Sequence, residues 1–298
     1  MAKPLEPAAP ASDGPGDRPA EPLSTAEQQL VEALARRRWI LTSTTGRSGT
    51  GFLAAALGLV PGMTSLHEPR PWLADAMRDA QGRPRTARRF LLEHKLPAVA
   101  QVETELYAES SHLYCKGFLE PLVELGIRPD LVILTRSPRQ VALSMVRLET
   151  IPGRTEQGLR WYLSPADPGV LPLAGWHELT DYQLCYWYTR EIARRSACYE
   201  TRLRALGSRV VRIDLTELRT VTGFARLLRE LELPRPKLYD WLRLAVNRYT
   251  RVNAKRPDTL NAVPVSDLEA QEREVEGRLQ EAPPVVDPGD HASSPITR

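Results

Sequence analysis

The stretch Trp39-Ile-Leu-Thr-Ser-Thr-Thr-Gly-Arg-Ser-Gly-Thr-Gly-Phe-Leu53 begins as an apolar strand, passes through a glycine-rich turn and ends in an Ala- and Leu-rich helix start. Glycine lets a backbone take left-handed conformations and approach a ligand closely, and the unpaired N–H groups at a helix N-terminus point at an anion. Gly46, Gly49 and Gly51 supply the first property, while Arg47, Ser48 and Thr50 add charge and hydroxyl donors. A turn of this composition can also join strand to helix and bind nothing.

Spacing narrows the choice of anion. A nucleoside-triphosphatase loop needs G-x-x-x-x-G-K-[ST], with the Lys on the terminal phosphates and the next hydroxyl on Mg²⁺. Gly51 follows Gly46 at the right interval, but Phe52 and Leu53 occupy the Lys and hydroxyl positions. Such a loop suits an anion whose transferable group carries less charge than a metal-bound triphosphate, and a sulfuryl donor meets that requirement without a metal.

Working outward, short apolar runs at Trp39–Ser43, Leu113–Cys115, Leu131–Leu134 and Val210–Ile213 are each followed by a helical pattern. That alternation predicts an α/β fold: a single three-layer, P-loop-like domain with a central parallel sheet flanked by helices. Ligands in such sheets bind at the carboxyl ends of the strands. Residues 1–24, with six prolines in the first 22, read as a disordered leader, residues 25–262 as the domain, and 263–298 as an acidic, partly disordered tail. Ser24 and Glu27 have capping-box spacing at the start of the first helix, Tyr182–Leu206 reads as one long helix, and 265–280 as an acidic surface helix. The segment Glu149–Glu178, with four prolines and four glycines, reads as a lid or pocket wall.

The 298 residues are 42% hydrophobic and 26% charged, an ordinary globular composition that excludes collagen-like, coiled-coil and wholly disordered chains. The net charge of +3 conceals a polarity. Lys3 and Arg18 against four acids give −2 in the leader, three Arg against eight acids give −5 in the tail, and about +10 remains on residues 25–262. A basic body points to an anionic ligand. Three cysteines without CxxC spacing argue against a disulfide framework or structural zinc. The longest apolar run, Phe52–Val60, is too short to span a bilayer, and the N-terminal stretch lacks the apolar core of a signal peptide, so a cytoplasmic location is expected.

Two motifs carry a family resemblance. Gly46-Arg47-Ser48-Gly49-Thr50-Gly51-Phe52-Leu53 resembles the 5′-phosphosulfate loop of sulfotransferases that use 3′-phosphoadenosine 5′-phosphosulfate (PAPS). Leu131-Val-Ile-Leu-Thr-Arg136-Ser137-Pro138-Arg139-Gln140-Val141-Ala142-Leu143-Ser144 is similar to their 3′-phosphate site, where an Arg ends a strand and a Ser lies eight residues on. An Arg there can give a forked contact to phosphate, and the Ser, two helical turns in, can return a hydroxyl to the same ligand. The similarity spans roughly Trp39 to Lys255: Val210–Leu218 and Phe224–Leu233 match the late strand and helix, and Arg248, Arg251 and Lys255 resemble the phosphate-covering loop, without its clearest Arg-Lys-Gly pattern.

The resemblance implies PAPS as donor, held by Arg47, Ser48, Gly49, Thr50 and Gly51, with Phe52 near the adenine and Arg136, Ser144 and Arg251 on the 3′-phosphate. Cytosolic phenol- and steroid-type members use a His in a Lys-Thr-His-Leu segment, which aligns with Lys116-Gly117-Phe118-Leu119, and Phe118 cannot accept a proton. Carbohydrate-type and bacterial members place a Glu in a Glu-Pro dipeptide, which Leu66-His67-Glu68-Pro69 resembles. Glu68 is thus the preferred base and His67 the substitute, and strand alternation would turn only one of them into the site. Lys116, one of five lysines beside 35 arginines, and Arg47 are expected on the oxygens around sulfur. The acceptor is expected to be a small-molecule or glycan hydroxyl, with no nucleic-acid partner and no metal; the oligomeric state is not legible. Trp161, Tyr162 and Trp176 could line a ring-binding wall or simply pack. The rival readings are a P-loop small-molecule kinase with a degenerate loop, and a nucleotide-binding relative without activity.

Overall fold

The computed structural model describes residues 22–244 and 267–281. Its sheet is built on β1 (Arg38–Ser43), five of whose six residues are buried. A strand covered on both faces reads as a continuous apolar run, which is why this one is legible. Around it β2 (Met63–His67), β3 (Leu106–Ser110), β4 (Asp130–Thr135) and β5 (Val210–Asp214) run parallel in the order β2-β3-β1-β4-β5. The chain steps from β1 to one edge, returns through β3, and crosses to β4 on the other side. The order therefore reverses at β1 and β4, and the loops leaving these two strands flank one crevice.

Helices fill the crossovers. They are α1 (Thr25–Ala35), α2 (Thr50–Leu57), α3 (Ala74–Ala80), α4 (Pro84–Phe90), α5 (Leu96–Ala100), α6 (Leu119–Glu124), α7 (Pro138–Arg147), α8 (Glu156–Trp161), α9 (Asp181–Ala205), α10 (Leu215–Leu218), α11 (Val221–Glu230) and α12 (Leu268–Glu281). A π-helical turn, Leu91–Lys95, joins α4 to α5. The period-2 alternation of the strands sorts the core into two layers. Trp39, Leu41, Tyr107, Leu131 and Ile133 pack with α1, α3, α7 and α9, while Ile40, Ala108, Val132, Leu134 and Ile213 pack with α2 and α11. The expected three-layer α/β arrangement is the observed one.

The capping box of Ser24 and Glu27 opens α1, and a second, of Thr180 and Gln183, opens the long helix α9. The acidic helix expected near the C-terminal end is α12, and it is docked rather than free: Val275 is fully buried, Glu272 takes two bonds from Arg139 at 2.8 Å each, and Glu276 accepts from Tyr186 at 2.9 Å. Among the described residues no helix is long and apolar enough to cross a membrane.

One expected strand is elsewhere. Leu113–Cys115 is buried but forms a turn, with Lys116 N donating to Leu113 O at 2.9 Å, and the strand of that region is β3, whose sequence Leu-Tyr-Ala-Glu-Ser carries a carboxylate. Glu109 tolerates this central position because Lys95 Nζ lies 2.8 Å from its Oε1 and the Tyr107 and Tyr114 hydroxyls donate to Oε2 at 2.6 and 3.1 Å. β2 is marked by no apolar run, because as the sheet's edge strand it buries only Met63 fully.

Candidate active site

The loop leaving β1 takes three left-handed residues within the four positions 46–49: Gly46 at φ +76°, Arg47 at +56° and Gly49 at +96°. A side chain on Gly49 would be strained at that φ and would set its Cβ 2.4 Å from a methyl of Leu215. The loop is fastened from behind. Thr44 Oγ1 donates to Leu134 O on β4 at 2.7 Å and also contacts Ser48 Oγ, and Tyr188 of α9 donates to Thr45 O at 2.9 Å. Gly49 then hands the chain to α2: its carbonyl accepts from the N–H groups of Phe52 and Leu53 at 2.9 and 3.0 Å, and helix geometry leaves those of Thr50 and Gly51 without an intrahelical acceptor. The result is a rigid concave run of backbone N–H groups at a helix start, the arrangement that receives an anion.

Across the crevice, Arg136 leaves β4 and donates from Nη1 to Arg47 O at 2.8 Å and from Nε to Gln140 at 3.0 Å. Arg47 in turn donates from Nε to Ser144 Oγ on α7 at 3.2 Å. The two motifs expected to share a ligand thus meet. Burial, together with the nearby Arg219 and Arg47 cations, holds Arg136 below the usual guanidinium range. Among the described residues no carboxylate lies within salt-bridge distance of Arg47 or Arg136, whose side-chain partners are neutral.

β2 delivers the two candidate bases. His67 Nε2 lies 2.9 Å from Thr50 Oγ1 at the start of α2. Glu68 does not face the opposite side, as strand alternation would have it. The strand ends at His67, and Glu68 adopts φ +47°, which brings its carboxylate to 3.4 Å from His112 Nε2. His112 is the residue the sequence reading lacks. It is 6% exposed, its ring lies against Gly46, and its Nδ1 is 2.6 Å from Lys116 Nζ. Burial, with Lys116, His67 and Arg47 nearby, pushes its pKa well below the ordinary histidine value, so the ring is neutral at pH 7. Lys116 Nζ and the Glu68 carboxylate thus meet opposite nitrogens of one ring.

Lys116 itself is fully buried, between the rings of Tyr162 and Tyr188 at 4.8 and 5.2 Å, and also donates to Trp161 O at 2.5 Å. Burial lowers it to about 7, with Cys115 and Glu68 working in the other direction. Its Nζ, expected on the reacting oxygens, contacts His112 Nδ1 and the Trp161 carbonyl here. Phe52, expected near the adenine, sits in the core. Its ring is 7% exposed within the core layer of Leu218, Phe224 and Leu227, so packing accounts for it. Ser48 is fully buried and Thr50 nearly so, while Gly51 lies in the first turn of α2. Arg251, with Arg248 and Lys255, lies outside the described residues.

The carbonyls of Pro69 and Pro71, just after Glu68, accept from Lys95 Nζ at 3.2 and 3.4 Å, so the buried Lys95–Glu109 pair also anchors the segment that aims Glu68. The Glu149–Glu178 segment supplies one wall: Tyr162 is buried against His112 at 5.4 Å between ring centroids, and Trp161 meets Trp72 edge-on at 6.3 Å. Trp176 lies against His177, with ring centroids 3.7 Å apart.

No protein-family model matches the chain, and no curated protein does. Solved structures resemble it. The sulfotransferase domain from the curacin biosynthetic pathway superposes with a TM-score of 0.50 at 15% identity, covering 82% of this chain and 97% of that one. The sulfotransferase domain from the Synechococcus PCC 7002 olefin synthase gives a TM-score of 0.48 at 15% identity, covering 83% and 95%. The first of these likenesses matches the parallel five-stranded sheet described above, and the chain accordingly has the fold of a sulfotransferase domain.

Proposed function

We propose that the chain is a sulfotransferase that moves the sulfuryl group of PAPS to a hydroxyl of a small-molecule or carbohydrate-like acceptor. The observation that carries this reading is the meeting of the Gly46–Gly51 loop with Arg136 and Ser144 at the switch point of the sheet. Two guanidiniums that have no carboxylate within salt-bridge distance among the described residues, beside backbone N–H groups at a helix start, fit a ligand with separate 5′ and 3′ anionic groups.

In this reading Arg47 and the N–H groups of residues 48–51 hold the 5′-phosphosulfate, and Arg136 with Ser144 holds the 3′-phosphate. The donor, when bound, supplies a sulfuryl group whose transfer leaves negative charge on a phosphate oxygen. Arg47 faces that charge as it develops. Glu68 takes the acceptor's hydroxyl proton, and His112, set between Lys116 and Glu68, keeps the carboxylate aimed. His67, bonded to Thr50, serves the donor side of the site.

Thermal unfolding with and without ligand tests the reading. Adenosine 3′,5′-bisphosphate is expected to stabilise the chain without metal, by about 2.7 kcal/mol at a hundredfold excess over its Kd. Stabilisation by ATP with Mg²⁺ alone would sink the proposal in favour of a kinase. Bisphosphate binding without transfer of labelled sulfate from PAPS to any of a broad panel of alcohols, phenols and sugars would identify an inactive relative.

A further inference from the structure

Beside Glu68 a second cluster stands outside the donor site. The Arg70 guanidinium carbon lies 4.4 Å from the centroid of Trp72, and Trp72 meets Trp161, whose ring is 6.0 Å from that of His112. Arg160 completes the cluster, 5.8 Å over Trp72 and 5.5 Å over Trp161. The two arginines differ in one respect. Arg160 is already paired with Asp75 at 3.4 Å, whereas among the described residues Arg70 has no carboxylate partner.

We propose that Arg70 receives a carboxylate or phosphate of the acceptor, so that the site selects anionic hydroxyl compounds with an apolar face for Trp72 and Trp161. This rests on the sulfuryl-transfer reading of the same site. A guanidinium stacked on an indole satisfies none of its five N–H donors through the ring, so they remain directed outward in a plane that matches a carboxylate or a phosphate. The stack also fixes the side chain, so less rotamer entropy is lost on binding than for a free arginine. Position follows from sequence: Arg70 is two residues beyond Glu68, so their Cα atoms are at most about 7 Å apart. The ring contacts from Trp72 through Trp161 to His112 lead back to Glu68, so an acceptor gripped at Arg70 lies along the wall that ends at the base.

The wall is built, not incidental. Lys116, which orients His112, bonds the Trp161 carbonyl, and Arg78 donates to the carbonyls of Leu159 at 2.8 Å and Tyr162 at 2.5 Å, pinning the chain on both sides of Trp161. Acceptor wall and base are thus held by one set of bonds.

The full chain, saturated with adenosine 3′,5′-bisphosphate, is titrated calorimetrically with 4-(hydroxymethyl)benzoate, 4-(hydroxymethyl)benzylphosphonate and the neutral methyl ester of the first. At least one anion is expected to bind about fivefold or more tighter than the ester, and which one identifies the acceptor's acid. Arg70→Gln, an exposed position, is expected to bring anion and ester within about twofold while leaving bisphosphate affinity unchanged. Equal binding of anions and ester, an anion preference that survives Arg70→Gln, or no binding of either anion to the bisphosphate complex would each overturn the proposal. Failure of the bisphosphate itself to bind would instead overturn the sulfuryl-transfer reading, and this inference with it.

Discussion

Arg47 Nε donates to Ser144 Oγ at 3.2 Å across 97 positions of sequence, and the same arginine's carbonyl accepts from Arg136. A loop after β1 and a helix after β4 are thereby joined at the one place where the strand order reverses. The juxtaposition is a product of topology: neither motif alone gathers two guanidiniums, and together they place Arg47 beside Arg136 on a chain whose overall charge is only +3.

Arg136→Ala removes a charged, forked donor and is expected to weaken adenosine 3′,5′-bisphosphate binding by about tenfold to a hundredfold, read by calorimetry. Ser144→Ala removes one neutral hydroxyl and should cost about two- to tenfold. Equal, small effects from both would remove the 3′-phosphate from this corner of the site.

Glu68→Gln is expected to lower turnover of labelled PAPS by about 10² to 10⁴ while bisphosphate affinity stays within about twofold, because the amide keeps the shape of the side chain and loses its basicity. His67→Ala should do the converse, raising the bisphosphate Kd through loss of its 2.9 Å contact to Thr50. If His67→Ala instead abolishes turnover with Glu68→Gln nearly normal, the proton goes to the imidazole.

The glycine-rich turn and the placement of Arg136 and Ser144 were legible because their geometry is local: glycines where the backbone turns left-handed, an arginine after a strand end, a serine two turns into the next helix. β2 and β3 were obscure for opposite reasons. β2 is an edge strand with little to bury, and β3 hides a glutamate whose cost is met by a lysine from another element. His112 was invisible because the contact that marks it comes from a distant segment: Glu68, whose own left-handed φ breaks the strand's alternation.

Lys116 gives a pH signature. Its pKa is about 7 when folded, held down first by burial, against 10.5 for a free lysine, so between these values the unfolded chain keeps a proton that the folded chain has released. Its contribution to stability is therefore fully present above pH 10.5, falls as pH drops through that window, and is gone below about pH 7. Lys116→Met is expected to flatten this slope, so that its deficit against the parent chain in urea midpoints is larger at pH 9 than at pH 7. Parallel pH profiles for the two proteins would mean that Lys116 titrates normally.

The Lys95–Glu109 pair is 1% exposed on both sides and serves the site indirectly, through the carbonyls of Pro69 and Pro71. Removing one partner strands a charge in the core, so Lys95→Met is expected to destabilise the chain by about 3–5 kcal/mol in urea unfolding. Adding Glu109→Gln removes the stranded charge and leaves an amide oxygen for the hydroxyls of Tyr107 and Tyr114, so the double variant should recover much of that loss. Its turnover should nonetheless stay below that of the parent, because Met cannot hold the carbonyls that follow Glu68. Recovery of stability and turnover together would show that the pair supports the sheet and has no part in aiming the carboxylate.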